Sequence, residues 1–150
     1  MENILKEIFD IRSIKMELNC KTKEDAFTEL VGAITAVHPE CESALLLKAI
    51  EEREKKMSTG ITEGVAIPHA FYSGIGSMAG AIGISKHGID YGALDNKPVH
   101  IIFLLASKNA DEDHLHVLNL IFKLAQSEAL ELMKKAKSPE EIHAILSHIH

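Results

Sequence analysis

The stretch from Arg53 to His69, REKKMSTGITEGVAIPH, gathers residue types that could handle a transferable anion. It offers an imidazole at His69, a guanidinium at Arg53, hydroxyls at Ser58 and Thr59, and flexible backbone at Gly60 and Gly64. An imidazole serves as nucleophile near neutral pH, a guanidinium pairs with oxyanions, and hydroxyls and backbone amides donate hydrogen bonds to them. A phosphoryl group fits that set. Glu63, inside the same stretch, is the candidate acidic neighbour for Arg53 to orient, and is grouped with Ser58 and Thr59 around the phosphoryl group.

Two elements must position these groups. Leu46, Ala49, Ile50 and Arg53 fall at i, i+3, i+4 and i+7, which predicts a helix from Ser43 to Lys56 with Arg53 on its apolar face. A charge there requires a partner, because an unpaired one is costly away from water. Ser58-Thr59-Gly60 ends that helix. Gly64 to Ile67 is short, apolar and β-branched, which predicts a strand. Pro68 keeps Ile67 extended, so His69 is expected at the end of a stiffened strand rather than on a mobile loop.

The remaining chain supplies the scaffold. Residues Asn3 to Phe9 form a short helical or irregular lead-in, and Ile14, Met16 and Leu18 alternate with polar neighbours as in a strand from Ser13 to Leu18. Thr22 is placed to cap a helix over Lys23–Val37, which Pro39 ends. Ser73 to Ser77 is a small-residue connector, Ala79 to Ser85 a small-residue strand, and Leu94 to Pro98 a turn. Val99 to Ala106, VHIIFLLA, is apolar enough for a central strand covered on both faces. A helix follows the acidic loop Lys108–Asp113, with Leu115, Leu118, Ile121, Phe122 and Ala125 expected to face inward. Ser127 caps a short helix through Lys135, and Ser138-Pro139-Glu140-Glu141 is a capping box opening the last helix. Helices at both ends of a run of strands predict a single-domain α/β/α sandwich around a mixed sheet of about five strands.

His114 opens the helix after the apolar strand, where free N–H groups and the positive dipole end favour anions. His114-Leu115-His116 is not a metal motif, because residues i and i+2 on a helix point apart. His143, His148 and His150 read as solvated surface. Gly74-x-Gly76-x-x-x-Gly80 is out of step with a dinucleotide fingerprint, and Asp111-Glu112-Asp113 lacks the glycine and terminal glutamate of a calcium loop. No nucleotide or metal cofactor is implied.

At 150 residues the chain can form one domain, and its 46% hydrophobic and 25% charged content is that of an ordinary globular protein. A net charge of −6 argues against nucleic acid as a partner. No apolar run reaches the length of a membrane span, and the first residues alternate charge and apolar groups too closely for a signal peptide. Cys20 and Cys41 match no metal or redox spacing, which points to reduced thiols and the cytoplasm.

Arg53-Glu54, then Ser58-Thr59-Gly60-Ile61, then Gly64-Val65-Ala66-Ile67-Pro68-His69 resembles the active-site segment of the type 2 IIA domains of the bacterial sugar phosphotransferase system, the fructose/mannitol and nitrogen-regulatory branch. The order of elements matches over nearly the whole chain. The resemblance implies that His69 accepts a phosphoryl group from phosphorylated HPr or its nitrogen-branch counterpart, on Nε2. It implies that His114 is the second histidine beside it, that Arg53 and Ser58 or Thr59 hold the phosphoryl oxygens, and that the group passes to a IIB domain for sugar uptake. A transport role would associate the chain with a membrane IIC/IIB complex; a regulatory role would use phosphorylation to bind or release a target protein. His114-Leu115-His116 with Leu118 is closer to the nitrogen-regulatory relatives. Many relatives follow the active histidine with a small and then a basic residue, whereas this chain has Ala70-Phe71-Tyr72, expected to form an apolar docking rim. An anion-transporter-like domain that has lost phosphorylation is disfavoured by the intact Pro68-His69 pair.

Overall fold

A strand that is apolar on both faces must be covered on both faces, and Val99–Ser107 sets the architecture for that reason. The computed structural model describes residues 4–62 and 64–149, the side chains of Ile61 and Thr62 apart. In chain order the elements are α1 (Ile4–Ile8), β1 (Phe9–Lys15), α2 (Lys23–Val37), α3 (Ser43–Lys56), β2 (Gly60–Thr62), β3 (Val65–Ala66) and β4 (His69–Phe71). There follow β5 (Ala79–Ile89), β6 (Val99–Ser107), α4 (Glu112–Ala125), α5 (Ala129–Lys135) and α6 (Pro139–Leu146). The sheet order is β1-β5-β6-β3-β2, with β4 also paired to β6. β1 runs parallel to β5, β5 antiparallel to β6, and both β3 and β4 parallel to β6. β3 and β4 share one side of β6 and are interrupted at Ile67-Pro68, so six strands fill five positions across the sheet.

Alternate side chains of β6 feed two cores. Ile102, Leu104 and Ala106 join Phe27, Leu30, Ile34, Leu46 and Ile50 of α2 and α3. Ile101, Phe103 and Leu105 join Val117, Ile121 and Leu124 of α4, with Met133, Ile142 and Leu146 beyond them. The fold is the predicted α/β/α sandwich around a mixed sheet, one domain with its layers held by two cores. Among the described residues no helix is long and apolar enough to cross a membrane.

α2 and α3 occupy the predicted ranges, and the Thr22 hydroxyl accepts the Asp25 N–H at 3.3 Å as the cap requires. The first strand lies earlier than its alternation predicts. Ile14 packs in the α4 core and Leu18 in the α2 core, so Met16 marks a break rather than a continuing strand. α4 is rotated from the predicted phase. Its buried residues are His114, Val117, Leu120, Ile121, Leu124 and Ala125, while Leu115 and Phe122 are exposed. Two apolar stripes lie side by side on this helix, and its first-turn contacts decide which one faces the sheet. β2 has no signal in the sequence, and β5 runs on through His87 to Ile89. Ser138 caps α6 by accepting the Glu141 N–H, but Glu141 reaches the Lys137 N–H rather than completing the capping box. His143 is half-buried and bonded to the Lys6 carbonyl at 2.9 Å, so it is not simply solvated surface. His150 and Glu63 lie outside the described residues.

Candidate active site

β4 and β6 run parallel, so their carboxyl ends lie together, the end at which open α/β sheets collect ligands. His69 sits opposite Leu105, and Phe71 opposite Ser107. His69 does not end the first strand, as predicted; it opens the next one, after the Ile67-Pro68 break. The Pro68 carbonyl takes the Leu105 N–H at 2.9 Å, which fixes the register on the way to His69.

Beyond Ser107 the chain turns into α4, and the Asp111 carboxylate caps it by accepting the His114 N–H at 2.9 Å. That cap puts His114 on the first turn facing the sheet, only 2% exposed. Its ring centroid stands 5.7 Å from that of His69 and 4.9 Å from that of Phe71. The two histidines that the sequence places 45 positions apart thus face one another (114 − 69).

The proton on His69 can be located. Nδ1 lies 2.7 Å from the Ile67 carbonyl oxygen, and a carbonyl can only accept, so Nδ1–H donates and Nε2 keeps its lone pair. Burial holds the His69 pKa below its ordinary value. The Ile67 carbonyl opposes that shift, the Arg53 charge adds to it, and Glu54 opposes it. His114 is also held low, first by burial and then by the neighbouring His69, with Asp111 opposing. Its Nδ1 pairs with the Ser107 hydroxyl at 2.7 Å, leaving Nε2 as the other ring nitrogen.

Arg53 joins His69 along a groove of about 300 Å³ that also takes in Ala49, Glu52, Lys56, Ala70 and Phe71. The predicted burial of Arg53 is corrected by the structure. The inward face of α3 runs Leu46, Ile50, Glu54, so the buried charge is the carboxylate, and Arg53 lies one residue further round. Arg53 is half-buried, and its Nη1 donates to the Met57 carbonyl at 3.1 Å.

Glu54 is 5% exposed and fully engaged. Its Oε2 accepts the Thr59 N–H at 2.9 Å and has Lys23 Nζ at 3.6 Å. Its Oε1 accepts the Thr59 hydroxyl at 2.6 Å and the Tyr91 hydroxyl at 3.1 Å. Lys23 Nζ stands 5.2 Å over the Tyr91 ring, and burial beside Glu54 pushes the Tyr91 phenol far above its ordinary value. This network clamps the turn after α3, and the Thr59 carbonyl then takes the Ile67 N–H at 3.0 Å.

Thr59 therefore departs from its predicted role, since its hydroxyl proton is committed to Glu54 and the residue is 3% exposed. Ser58 is half-buried, and its hydroxyl accepts the Gly60 N–H at 3.1 Å. Phe71 is an exposed rim residue as predicted, at 49%. Tyr72 is not; it packs on the α2–α3 core and its hydroxyl accepts the Glu42 N–H at 3.2 Å. Sequence reasoning missed Glu54, Tyr91 and Ser107 as site components. The i, i+4, i+8 spacing of Leu46, Ile50 and Glu54 is a signal for the first, whereas Tyr91 is brought in by the sheet alone.

The fold is shared with known proteins. The nitrogen regulatory protein IIA-Ntr from Neisseria meningitidis superposes with a TM-score of 0.87 at 32% identity, covering 95% of this chain and 99% of that one. The fold also matches IIA mannitol from Escherichia coli, with a TM-score of 0.77 at 18% identity over 92% of this chain and 98% of that one. In sequence the chain is 34% identical over 145 residues to the fructose-specific EIIABC component of Bacillus subtilis, matching 96% of this chain but spanning only 22% of that protein. It is 30% identical over 146 residues to the nitrogen regulatory protein of Klebsiella oxytoca, covering 95% of this chain and 90% of that protein. The model of the phosphoenolpyruvate-dependent sugar phosphotransferase system EIIA 2 family matches from residue 7 to residue 149, and the chain belongs to that family.

Proposed function

We propose that the chain is a phosphoryl carrier whose acceptor is Nε2 of His69. Family membership makes phosphoryl transfer the class of reaction. The observation that carries the acceptor assignment is the Nδ1–H bond to the Ile67 carbonyl, which leaves Nε2 with a lone pair on a ring kept neutral by burial. The donor is a phosphohistidine on HPr or its nitrogen-branch counterpart. The Nε2 lone pair forms a new N–P bond as the donor's N–P bond breaks, and the electron pair of that bond stays on the donor imidazole. As the His69 ring gains positive character, its bond to the Ile67 carbonyl strengthens, which favours the transition state over the ground state. Return of the lone pair releases the group to the next acceptor.

His114 and Arg53 flank the transferred group. With the Ser107 hydroxyl donating to its Nδ1, His114 presents Nε2–H to a phosphoryl oxygen. Arg53 supplies positive charge from the groove. Ser58 is the hydroxyl of the pair that remains a candidate ligand, and Glu63 is the acidic neighbour that Arg53 would orient. Phe71 forms the apolar rim against which the partner proteins seat. No cofactor enters this scheme. A chain loaded in this way works in the cytoplasm, and a IIB domain within a sugar-uptake complex is the acceptor.

A second reading is favoured by the match to nitrogen regulatory proteins over nine-tenths of their length. In it the phosphorylation state of His69 controls binding to a target protein. One experiment addresses both. Phosphoenolpyruvate, enzyme I and HPr are added to wild type and to His69→Ala, and the products are weighed intact. Wild type gains one acid-labile phosphoryl group and the variant gains none; labelling of His69→Ala to the same extent refutes the acceptor assignment. Added IIB domains then discharge a transport component and leave a regulator loaded.

A further inference from the structure

We propose that the far end of the sheet carries a second anion site, built from Lys86, His100 and Lys134 and flanked by Lys135 and Lys137, for a small ligand of the pyrophosphate or polyphosphate class. It is independent of the reaction proposed at His69. Two grooves meet there. One, of about 260 Å³, is lined by Ile84, Ser85, Lys86, His100 and Lys134. The other, of about 240 Å³, is lined by Met16, Glu17, Lys86, Lys134, Lys135, Ala136 and Lys137. Lys86 and Lys134 line both, so the two grooves adjoin at these side chains, and each is slightly below the size range of small-ligand pockets.

The charge distribution is the stronger argument. Acids outnumber Lys and Arg by 22 to 16 in the chain, yet this trough is lined by four lysines and a histidine against the single carboxylate of Glu17. Two other acids stand nearby: Glu131 lies 3.4 Å from Lys134 Nζ, and Glu141 accepts the Lys137 N–H. Lys134 is half-buried and reaches Gly64, from whose Cβ position its Nζ would be 3.7 Å distant. His100 is fixed by donating Nδ1–H to the Ser85 carbonyl at 2.9 Å. Ammonium groups brought together from β5, α5 and the turn after it gain from an anion that joins them, and a concave wall favours a compact polyanion over a flat macromolecular face. Lys86 comes from β5, His100 from β6 and the other lysines from α5 and the turn after it.

The trough is distinct from the active site. His100 and Leu105, the partner of His69, are five residues apart on β6, roughly 17 Å at the rise of a strand. It meets the active segment at Gly64, whose carbonyl accepts the N–H groups of both His100 and Ile101.

The test is a titration of the whole chain with inorganic pyrophosphate at fixed ionic strength, followed by amide NMR. Saturable shifts are expected at Gly64, Ser85, Lys86, His100 and Lys134–Lys137. Lys86→Gln with Lys134→Gln should weaken binding by at least about tenfold while phosphoryl acceptance at His69 is retained. His69→Ala should bind pyrophosphate as wild type does. Shifts that grow without saturating, shifts confined to His69 and His114, or equal binding by the double variant would each overturn the proposal.

Discussion

At His69 the proton sits on Nδ1 because the Ile67 carbonyl can only accept, and the ring is held neutral because burial disfavours its charged form. Arg53 → Gln should raise the His69 pKa, since the guanidinium lowers it, but leave it below the ordinary value because burial is the larger cause. Ring NMR titration measures this; an unchanged midpoint would remove Arg53 from the electrostatics of the site. The same shifts have a consequence for stability. Both His69 and His114 have folded-state pKa values below 6.5, so the unfolded chain binds more protons as pH falls through that value. Their joint contribution is intact above about pH 6.5 and declines as pH drops toward the folded-state values. Urea midpoints should fall on acidification, and His114→Asn should flatten that decline. Glu54 makes a further prediction at this scale. Glu54→Ala leaves the Thr59 N–H without its acceptor, leaves Tyr91 as the partner of the Thr59 hydroxyl and removes the carboxylate beside the partly exposed Lys23, a loss of about 1–3 kcal/mol. Tyr91→Phe removes one hydroxyl and should cost about 1 kcal/mol by the same urea measurement.

At the scale of elements, β5 is rich in small residues because large ones lie across it. A Cβ on Gly80 would come within 2.3 Å of Phe9 Cε1 and 3.0 Å of the Leu104 carbonyl oxygen. Phe9 is fully buried with its ring edge-on to Phe103, so it has little room to withdraw. Gly80→Ala should therefore destabilise by about 1–3 kcal/mol, read from denaturant unfolding, despite the better strand propensity of alanine. The rotation of α4 is the other decision at this scale. Asp111 at its cap and Ser107 on its first inward side chain hold His114 toward His69, and the exposed Leu115 and Phe122 follow from that.

For the whole molecule, the site stands where the carboxyl ends of β4 and β6, the last turns of α3 and the first turn of α4 converge, with one core behind each face of the sheet. Phe103 lies wholly buried in the α4 core. Phe103→Ala should cost about 3–5 kcal/mol, a large share of a domain's total of about 5–15 kcal/mol. A calorimetric transition shifted by only a degree or two would contradict the central place given to β6.

The sequence by itself determined the helices α2 and α3, the two-faced strand β6 and hence the layered fold, and it singled out the candidate active segment. These rest on local patterns: periodicity, caps, a proline that restricts its neighbour, and an apolar run too continuous for a one-sided strand. It also marked His69 and His114, because each stands at a recognisable boundary, after Pro68 and at the start of a helix. Tertiary structure alone decided that those two rings meet at 5.7 Å, that Nε2 of His69 holds the lone pair, and that Glu54 rather than Arg53 is buried. It likewise turned the Thr59 hydroxyl inward, toward a tyrosine 32 positions away. The physical reason is common to these cases. Periodicity locates an apolar face to within one neighbouring residue, whereas a hydrogen bond or a buried charge is won or lost by that same rotation, and its partner arrives from a distant strand.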